Sequence, residues 1–213
     1  MTDETTFVTR RSRKRVTKIG RPPIRKDGRP LTPAERMRRY RAERKRERCK
    51  SHRVKCSGNF EWYTPRQYVE AAREALGSID LDPASSEIAQ TVIQAGTFFD
   101  ARDDGLAQQW HGNVLLNPPY ARNLIGRFVD KLLGELAVGR VQQAILLTHS
   151  YMDTAWFRRA ALACAAMCHA RRIRFWTPDG DVGNSPTTGS TFFYYGPHLE
   201  QFRASFEKFG MIR

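Results

Sequence analysis

From residue 58 onward, the chain alternates short apolar segments with segments whose apolar residues recur at helical spacing. Short apolar or alternating runs are typical of strands, and apolar residues three or four positions apart are typical of amphipathic helices. The pattern predicts strands over 78–82, 96–99, 113–116, 144–148, 172–176 and 191–195. It predicts helices over 68–76, 86–94, 124–136 and 198–209, and one that Asp153 caps and that ends at Met167.

This alternation of strands and helices indicates the fold class. A helix that follows a strand returns the chain to the same end of the sheet, which favours parallel pairing. We therefore expect an α/β fold with a Rossmann-like, doubly wound, mostly parallel sheet. Ligands bind beyond the carboxyl ends of the strands in such sheets. Two predicted strand ends carry unusual sequences, Asp80-Leu81-Asp82-Pro83 and Asn117-Pro118-Pro119-Tyr120.

Charge divides the chain into two parts. Residues 1–56 hold 21 Lys and Arg against 6 Asp and Glu, whereas residues 57–213 hold 15 against 16. We therefore expect a basic N-terminal arm, 1–56, followed by one folded domain, 57–213. Such an arm gains affinity for a polyanion by releasing counterions, which makes nucleic acid the expected partner. A solubilising tail with no dedicated ligand is the alternative.

The arm itself has two predicted parts. Residues 1–31 contain Gly-Arg-Pro twice among scattered basic residues, which is typical of a flexible segment. Thr32-Pro33-Ala34-Glu35 carries the capping-box pattern that begins a helix. The Arg-rich helix that follows, about 33–48, has almost no apolar stripe, so we expect it to be ordered mainly on phosphate.

Cysteine usage and hydropathy exclude several classes of protein. Four cysteines are too few for a disulfide scaffold. The longest apolar run, 160–168, is far shorter than the ~20 residues that cross a bilayer. No apolar segment follows the N-terminal charges, so we expect no secretory signal and a cytoplasmic protein. Cys49, His52 and Cys56 lack the fourth ligand of a closed zinc site, so we expect free thiols and no metal.

The tetrapeptide at 117–120 suits a planar group that bears an NH2. Its two prolines remove two N–H donors and leave carbonyl acceptors. Asn117 adds a side-chain oxygen and Tyr120 adds an aromatic face. Two acceptors outside the ring plane would favour a pyramidal nitrogen and aim its lone pair at an electrophile. A rigid turn with Tyr120 in the core is the alternative interpretation.

Asn117-Pro118-Pro119-Tyr120 after a strand resembles the catalytic motif of S-adenosylmethionine-dependent amino-methyltransferases. The wider set of motifs resembles the phage-type DNA N-6-adenine-methyltransferase (Dam) family over about residue 61 to the C-terminus. The segments that carry this resemblance are Glu61-Trp62-Tyr63-Thr64-Pro65, Ile79-Asp80-Leu81-Asp82-Pro83-Ala84-Ser85, Asp103-Asp104-Gly105-Leu106, Trp110, Leu116 to Tyr120, Asp153-Thr154-Ala155-Trp156-Phe157 and Arg172-Ile173-Arg174-Phe175.

The resemblance implies a methyltransferase fold, S-adenosylmethionine as cofactor and adenine in DNA as substrate. Catalysis would use the tetrapeptide Asn117, Pro118, Pro119 and Tyr120. Asn117 and Pro118 would accept the two hydrogens of adenine N6, and Tyr120 would stack on the flipped base. In duplex DNA the base must be extruded to reach such a pocket.

The resemblance also implies a set of cofactor-binding residues: Tyr63, Thr64, Pro65, Asp80, Asp82, Pro83, Asp100 and Asp104. Thr64 and Pro65 would lie against the methionine portion. Asp82 and Pro83 would border the cofactor, with Asp80 in support. Asp104 would bind polar groups of the cofactor ribose or adenine. Asp100 competes with it, because an acid after a second strand commonly binds a ribose in this architecture.

Two other functions remain open at this point. One is a related enzyme that acts on guanine in RNA or glutamine in protein. The other is a non-catalytic DNA-binding protein on the same fold. Two features favour the DNA enzyme over an enzyme that acts on RNA or protein. They are the lack of a glycine loop after Asp82 and the Trp-Tyr-Thr-Pro sequence before the first strand. The presence of all four residues of the tetrapeptide favours an enzyme over a non-catalytic DNA-binding protein. We expect the arm to supply affinity and loop 177–189 to read bases.

Overall fold

A computed structural model of the chain describes residues 32–35, 37, 62–121, 124–176 and 188–213. The chain divides into two units, Met1–Ser57 and Gly58–Arg213. In the first unit, the backbone N–H of Glu35 donates to Thr32 Oγ1 at 3.4 Å, and the backbone N–H of Thr32 donates to Glu35 Oε2 at 2.9 Å. This is the predicted capping box, and the helix begins after Thr32.

The other predictions for the arm lie outside the described residues. They are the flexibility of residues 1–31, the extent of the Arg-rich helix to about residue 48, and the free thiols near Cys49, His52 and Cys56.

In the described part of the second unit, the helices are α1 (Arg66–Leu76), α2 (Glu87–Ile93), α3 (Ile125–Ala137), α4 (Ala155–Ala163) and α5 (Leu199–Phe206). The strands are β1 (Leu81–Asp82), β2 (Thr97–Phe98), β3 (Gly112–Leu116), β4 (Val141–His149), β5 (Ala166–Ala170), β6 (Ser190–Tyr195) and β7 (Gly210–Ile212). A 3-10 turn, Glu207–Phe209, joins α5 to β7. Among the described helices, none has both the length and the apolar character needed to cross a membrane.

The seven strands form one sheet in the order β2-β1-β3-β4-β6-β5-β7. The first four strands in this order are mutually parallel. The pairs β4-β6, β6-β5 and β5-β7 are antiparallel. The α/β class agrees with the prediction. The doubly wound, mostly parallel sheet is not confirmed, because parallel pairing ends at β4. No helix of the described residues separates β5 from β6, and an antiparallel neighbour needs no crossover helix.

Two predicted elements near the junction of α4 and β5 are wrong. Thr154, and not Asp153, caps α4, since its Oγ1 accepts from the Phe157 backbone N–H. The helix ends at Ala163, and Ala166–Ala170 form strand β5, which pairs with β6. Small apolar residues suit either element, so pairing with β6 decides the outcome. The predicted strand 172–176 makes a single bridge, between Trp176 and Tyr63.

Helices cover both faces of the sheet. Successive residues of β4 point to opposite faces, so Ile145 and Leu147 pack on the side of α1, α2 and α5. Ala144 and Leu146 pack on the side of α3 and α4. All four β4 side chains are fully buried. Burial on both faces explains why residues 144–147 of β4 are a continuous apolar run in the sequence.

The loop between β2 and β3 is held against the end of β1. Trp110 is fully buried and its indole N–H donates to the Gly105 carbonyl at 2.7 Å. Gly105 approaches the backbone so closely that an added Cβ would lie 2.0 Å from the Pro83 carbonyl oxygen. Only a residue without a side chain fits there. This contact sets the distance between the segments that follow β1 and β2.

We expect Gly105→Ala to destabilise the protein by about 1–3 kcal/mol, because the methyl group must displace backbone rather than a flexible side chain. Gly134→Ala is the matched control. Gly134 lies on the exposed side of α3 with nothing within 4 Å of an added Cβ, so alanine there should stabilise by about 0.5–1 kcal/mol. Urea unfolding measures both changes. Equal unfolding midpoints for the two variants would contradict the close approach.

Candidate active site

A cavity of about 380 Å³ lies at the carboxyl ends of β1, β2 and β3. Because these strands are parallel, their ends meet at one edge of the sheet. Most of the predicted site residues line this cavity, including the whole tetrapeptide. The predicted residues in its wall are Tyr63, Thr64, Asp82, Pro83, Asp100, Asp104, Asn117, Pro118, Pro119 and Tyr120.

Pro65 and Asp80 are not in the wall of this cavity. The Asp80 carboxylate accepts from the Asn113 backbone N–H and from the Ser78 hydroxyl, each at 2.8 Å. It therefore joins the segment before β1 to β3. Pro65 immediately precedes α1 and its carbonyl accepts from the Tyr68 backbone N–H at 3.0 Å. Their assignment to the cofactor stays a prediction.

Two residues of the segment before α1 bind the side-chain amide of Asn117. Its Nδ2 donates to the Trp62 carbonyl at 3.1 Å and to Thr64 Oγ1 at 3.3 Å. These two acceptors fix which end of the amide is nitrogen, and they leave Oδ1 as an acceptor on the cavity side. The sequence reasoning missed this contact, because Trp62 and Thr64 precede Asn117 by more than fifty positions.

Tyr120 is positioned by two neighbours. Its hydroxyl donates to Asn117 Oδ1 at 3.1 Å. Its ring stacks on the His149 ring, with centroids 4.2 Å apart and planes 23° from parallel. Burial raises the pKa of Tyr120 well above its usual value, so the phenol stays neutral.

His149, at the end of β4, is a residue that the sequence reasoning did not single out. Its ring also meets Phe175 and Tyr151 edge-on. Burial lowers the pKa of His149, so a neutral imidazole backs the Tyr120 ring near pH 7. Its Nδ1 is buried with no hydrogen-bond partner among the described residues. No local motif in the sequence marks this role, which depends on β4 lying beside β3.

Asp82 is a buried carboxylate in the cavity wall, 2% exposed. It accepts from Gln90 Nε2 at 3.1 Å and from the Ala84 backbone N–H at 3.4 Å. Burial raises the pKa of Asp82 to about 6, despite these hydrogen bonds. A cation that entered the cavity would favour its ionised form. Asp82 is therefore suited to a positively charged ligand.

Asp100 and Asp104 follow β2 and occupy different environments. The Arg102 side-chain and backbone N–H groups donate to the Asp100 carboxylate, and they lower its pKa. Asp104 has a left-handed backbone, φ 49°, and its Oδ1 accepts from the Leu106 backbone N–H at 3.3 Å. Arg102 already compensates the charge of Asp100. In the described residues, no group of three His, Cys, Asp or Glu is arranged to hold a metal ion.

The cavity thus combines amide and backbone acceptors, a neutral aromatic ring and a buried carboxylate at one sheet edge. Residues 50–198 match the model of the family described as DNA N-6-adenine-methyltransferase (Dam). The match covers well over half of the chain and includes every residue named in the cavity wall. No curated protein matches the chain. The family match confirms the resemblance of the motifs, and the chain belongs to the DNA N-6-adenine-methyltransferase (Dam) family.

Proposed function

We propose that this protein transfers a methyl group from S-adenosylmethionine to N6 of adenine in DNA. The observation that carries the proposal is the position of Asn117. Its amide nitrogen donates to Trp62 and Thr64, which leaves its oxygen as an acceptor, and Asn117 lines the cavity together with Pro118 and Tyr120. Family membership supports adenine in DNA as the substrate.

The tetrapeptide acts on the adenine. Asn117 Oδ1 and the Pro118 carbonyl accept the two N6 hydrogens, which turns the nitrogen lone pair out of the ring plane. The two prolines restrict the backbone, so the carbonyl is aligned before the base arrives. Tyr120 stacks on the extruded base, and His149 supports the ring from behind. The proton that N6 loses leaves to water.

The residues at the end of β1 would hold the methyl donor. When bound, S-adenosylmethionine supplies an electrophilic methyl group on a positively charged sulfur. The donor set of the cavity fits this group, because Asp82 is a buried carboxylate that a nearby cation would ionise. Thr64 and Pro83 border the same space. Asp104 is better suited than Asp100 to accept a hydrogen bond from the ribose, since the Asp100 carboxylate already accepts from Arg102.

In this proposal, the arm binds the DNA backbone and the cavity binds the target adenine. Residues 1–56 supply counterion-release affinity that does not depend on sequence. The adenine leaves the duplex stack to reach the cavity. Base readout is assigned to loop 177–189, of which residues 177–187 lie outside the described part of the chain.

The decisive experiment incubates the protein with labelled S-adenosylmethionine and, separately, DNA, RNA and protein. Nucleoside analysis should find N6-methyladenine in DNA. Label in RNA guanine or in protein glutamine would replace the proposal with the related enzyme. No label in any substrate would favour a non-catalytic DNA-binding protein.

We expect Asn117→Ala to lower methyl transfer by at least about a hundredfold, since one of the two N6 acceptors is lost. Binding of S-adenosylmethionine, measured by calorimetry, should stay close to wild type. Asn117→Asp keeps a side-chain acceptor but loses the Nδ2 donor to the Trp62 carbonyl, so its activity should lie between those of alanine and wild type. Wild-type turnover in Asn117→Ala would exclude the catalytic assignment.

The two substitutions Tyr120→Phe and Tyr120→Ala separate stacking from hydrogen bonding. Phenylalanine keeps the ring and releases Asn117 Oδ1 from the phenol, so most activity should remain. Alanine should remove ~1–3 kcal/mol of base contact and raise the KM for DNA. Steady-state kinetics on one DNA substrate compares the two. If both variants lose activity equally, the hydroxyl matters and the stacking role is wrong.

The raised pKa of Asp82 predicts a pH dependence of cofactor affinity. Below pH 6 the carboxyl is protonated, and above it the carboxylate attracts the cationic sulfur. Affinity for S-adenosylmethionine should therefore rise as the pH increases from about 5 to 7. Calorimetric titration should show no such rise for Asp82→Asn. Asp130→Asn is the control, because Asp130 is an exposed acid paired with Arg159. This variant should show the same rise in affinity with pH as the wild type. A pH dependence that survives in Asp82→Asn would assign it to another group.

A further inference from the structure

Among the described residues that form the wall of the active-site cavity, Arg127 is the one with a positive charge. The same wall contains three acids, Asp82, Asp100 and Asp104. Of these, Asp100 pairs with Arg102, which lies outside the wall. Neither the proposed binding of adenine nor that of S-adenosylmethionine uses Arg127. Its presence in an otherwise acidic wall therefore needs a separate explanation.

The sequence of α3 brings Arg127 to the rim of this cavity. Leu124, immediately before the helix, and Phe128 are four positions apart, so they lie on one side of the helix. Both line the cavity together with Arg127. Phe128 is buried, whereas Arg127 is exposed. A side chain that borders the cavity and is also exposed lies where the cavity opens to solvent.

Arg127 differs from the other charged residues of α3, because it has no ion partner in the described part of the chain. Lys131 and Glu135 pair with each other. Asp130 lies three positions after Arg127, a spacing at which an ion pair within one helix can form. It pairs instead with Arg159 of α4, at 2.8 Å. The charge of Arg127 is therefore available to a ligand.

The helix itself gives no reason for a cation at this position. Arg127 is the third residue of α3, in its first turn. The free N–H groups of a first turn carry partial positive charge, so a basic side chain there lowers the stability of the helix. No acidic residue occupies that turn to compensate. Residues that oppose their local structure in this way are expected at functional sites.

The form of the substrate indicates which anion reaches Arg127. An adenine that leaves the duplex stays attached to the phosphates on either side of it, and these continue into the flanking DNA. The ring enters the cavity, so its phosphates stay at the opening. The acids of the wall repel a phosphate there, and a cation at the rim offsets this repulsion. The carboxylate of S-adenosylmethionine is the other candidate anion, but its own ammonium group already compensates that charge.

We propose that Arg127 binds a phosphate next to the target adenine and so aligns the nucleotide with the cavity. A guanidinium group can bind two phosphate oxygens at once, which fixes orientation as well as distance. Arg127 follows Tyr120 by seven residues, so one segment of the chain contacts both the base and its backbone. This inference rests on the proposed function. It adds a contact at the reacting nucleotide, whereas the arm binds phosphates anywhere on the DNA.

The first test measures methyl transfer by the full chain on long DNA of mixed sequence, which contains the target site whatever its sequence. Arg127→Gln should lower kcat/KM for DNA by about tenfold or more, because a charge-assisted hydrogen bond is lost. Its affinity for S-adenosylmethionine, measured by calorimetry, should stay close to wild type. Arg127→Lys should retain more activity than the glutamine variant, since an ammonium group also binds phosphate.

The matched control is Arg158→Gln, which removes an exposed arginine of α4 that is not in the cavity wall. Its kcat/KM for DNA should stay close to wild type. Thermal unfolding checks that the variants fold. The unfolding midpoint of Arg127→Gln should not fall, since the substitution removes a cation from the positive end of a helix. A lower midpoint together with lower activity would overturn the proposal in favour of a structural role.

A second measurement needs no methyl transfer. Saturation-transfer NMR compares the affinities of the protein for deoxyadenosine and for deoxyadenosine 3′,5′-bisphosphate, which carries both phosphates that flank an adenine in DNA. The preference for the bisphosphate should fall by about tenfold in Arg127→Gln. It should not change in Arg158→Gln. The arm is identical in all variants, so its own attraction for phosphate does not alter the comparison.

These outcomes separate the phosphate contact from the methyl transfer. Wild-type kcat/KM for DNA in Arg127→Gln, or an unchanged preference for the bisphosphate, would overturn the proposal and leave the enzyme assignment intact. An equal loss of affinity for S-adenosylmethionine would assign Arg127 to the cofactor carboxylate instead. If the wild type methylates no DNA, the proposed function fails on that measurement, and the bisphosphate comparison still decides whether Arg127 binds phosphate.

Discussion

Parallel pairing of β1 with β2 and β3 is the constraint on which the candidate site depends. It brings three strand ends to one edge, where Asp82, Asp100 and Asn117 follow. The register of β1 on β3 is held by Asp80, whose carboxylate accepts from the Asn113 backbone N–H. Gly112 precedes that contact at φ 69°, and a Cβ there would lie 2.5 Å from the Asp80 carboxylate. A shift of one residue would turn every side chain of β3 to the other face.

The two walls of the cavity differ in their electrostatics, and this difference matches two different ligands. The wall formed by the tetrapeptide is neutral, since Tyr120 stays a phenol and His149 an imidazole. An uncharged ring and two carbonyl acceptors suit an uncharged base. The wall formed by the β1 end holds Asp82, whose charge appears when a cation compensates its burial. Under the proposed function, a neutral acceptor and a cationic donor would therefore not compete for the same groups.

In the proposed function, affinity for DNA comes mainly from the arm. Residues 1–56 carry the excess positive charge of the chain, and such a segment binds a polyanion by releasing counterions. Residues 57–213 are nearly neutral, so their proposed contribution is the positioning of the adenine at the cavity and not a general attraction for phosphate.

Local signals in the sequence determined the features that need no distant partner. The capping box of Thr32 and Glu35, the apolar run at residues 144–147 of β4 and the rigid backbone after β3 all follow from residues near one another. Strand ends carrying Asp82 and Asn117 predicted the cavity, because the ends of parallel strands share an edge. Tertiary structure alone decided the antiparallel half, where an alanine-rich segment becomes β5 through its pairing with β6.

The same distinction holds within the site. The sequence predicted that Asn117 and Tyr120 belong to the candidate site, and both line the cavity, but the orientation of the Asn117 amide depends on Trp62 and Thr64, more than fifty residues earlier. His149 supports Tyr120 only because β4 lies beside β3. The bridge between Tyr63 and Trp176 likewise joins two segments that lie far apart in the sequence. Spacing along the chain predicts which side chains lie on the same face of one helix or strand. Contacts between elements depend instead on strand register and helix packing, which are set by the packing of the whole core.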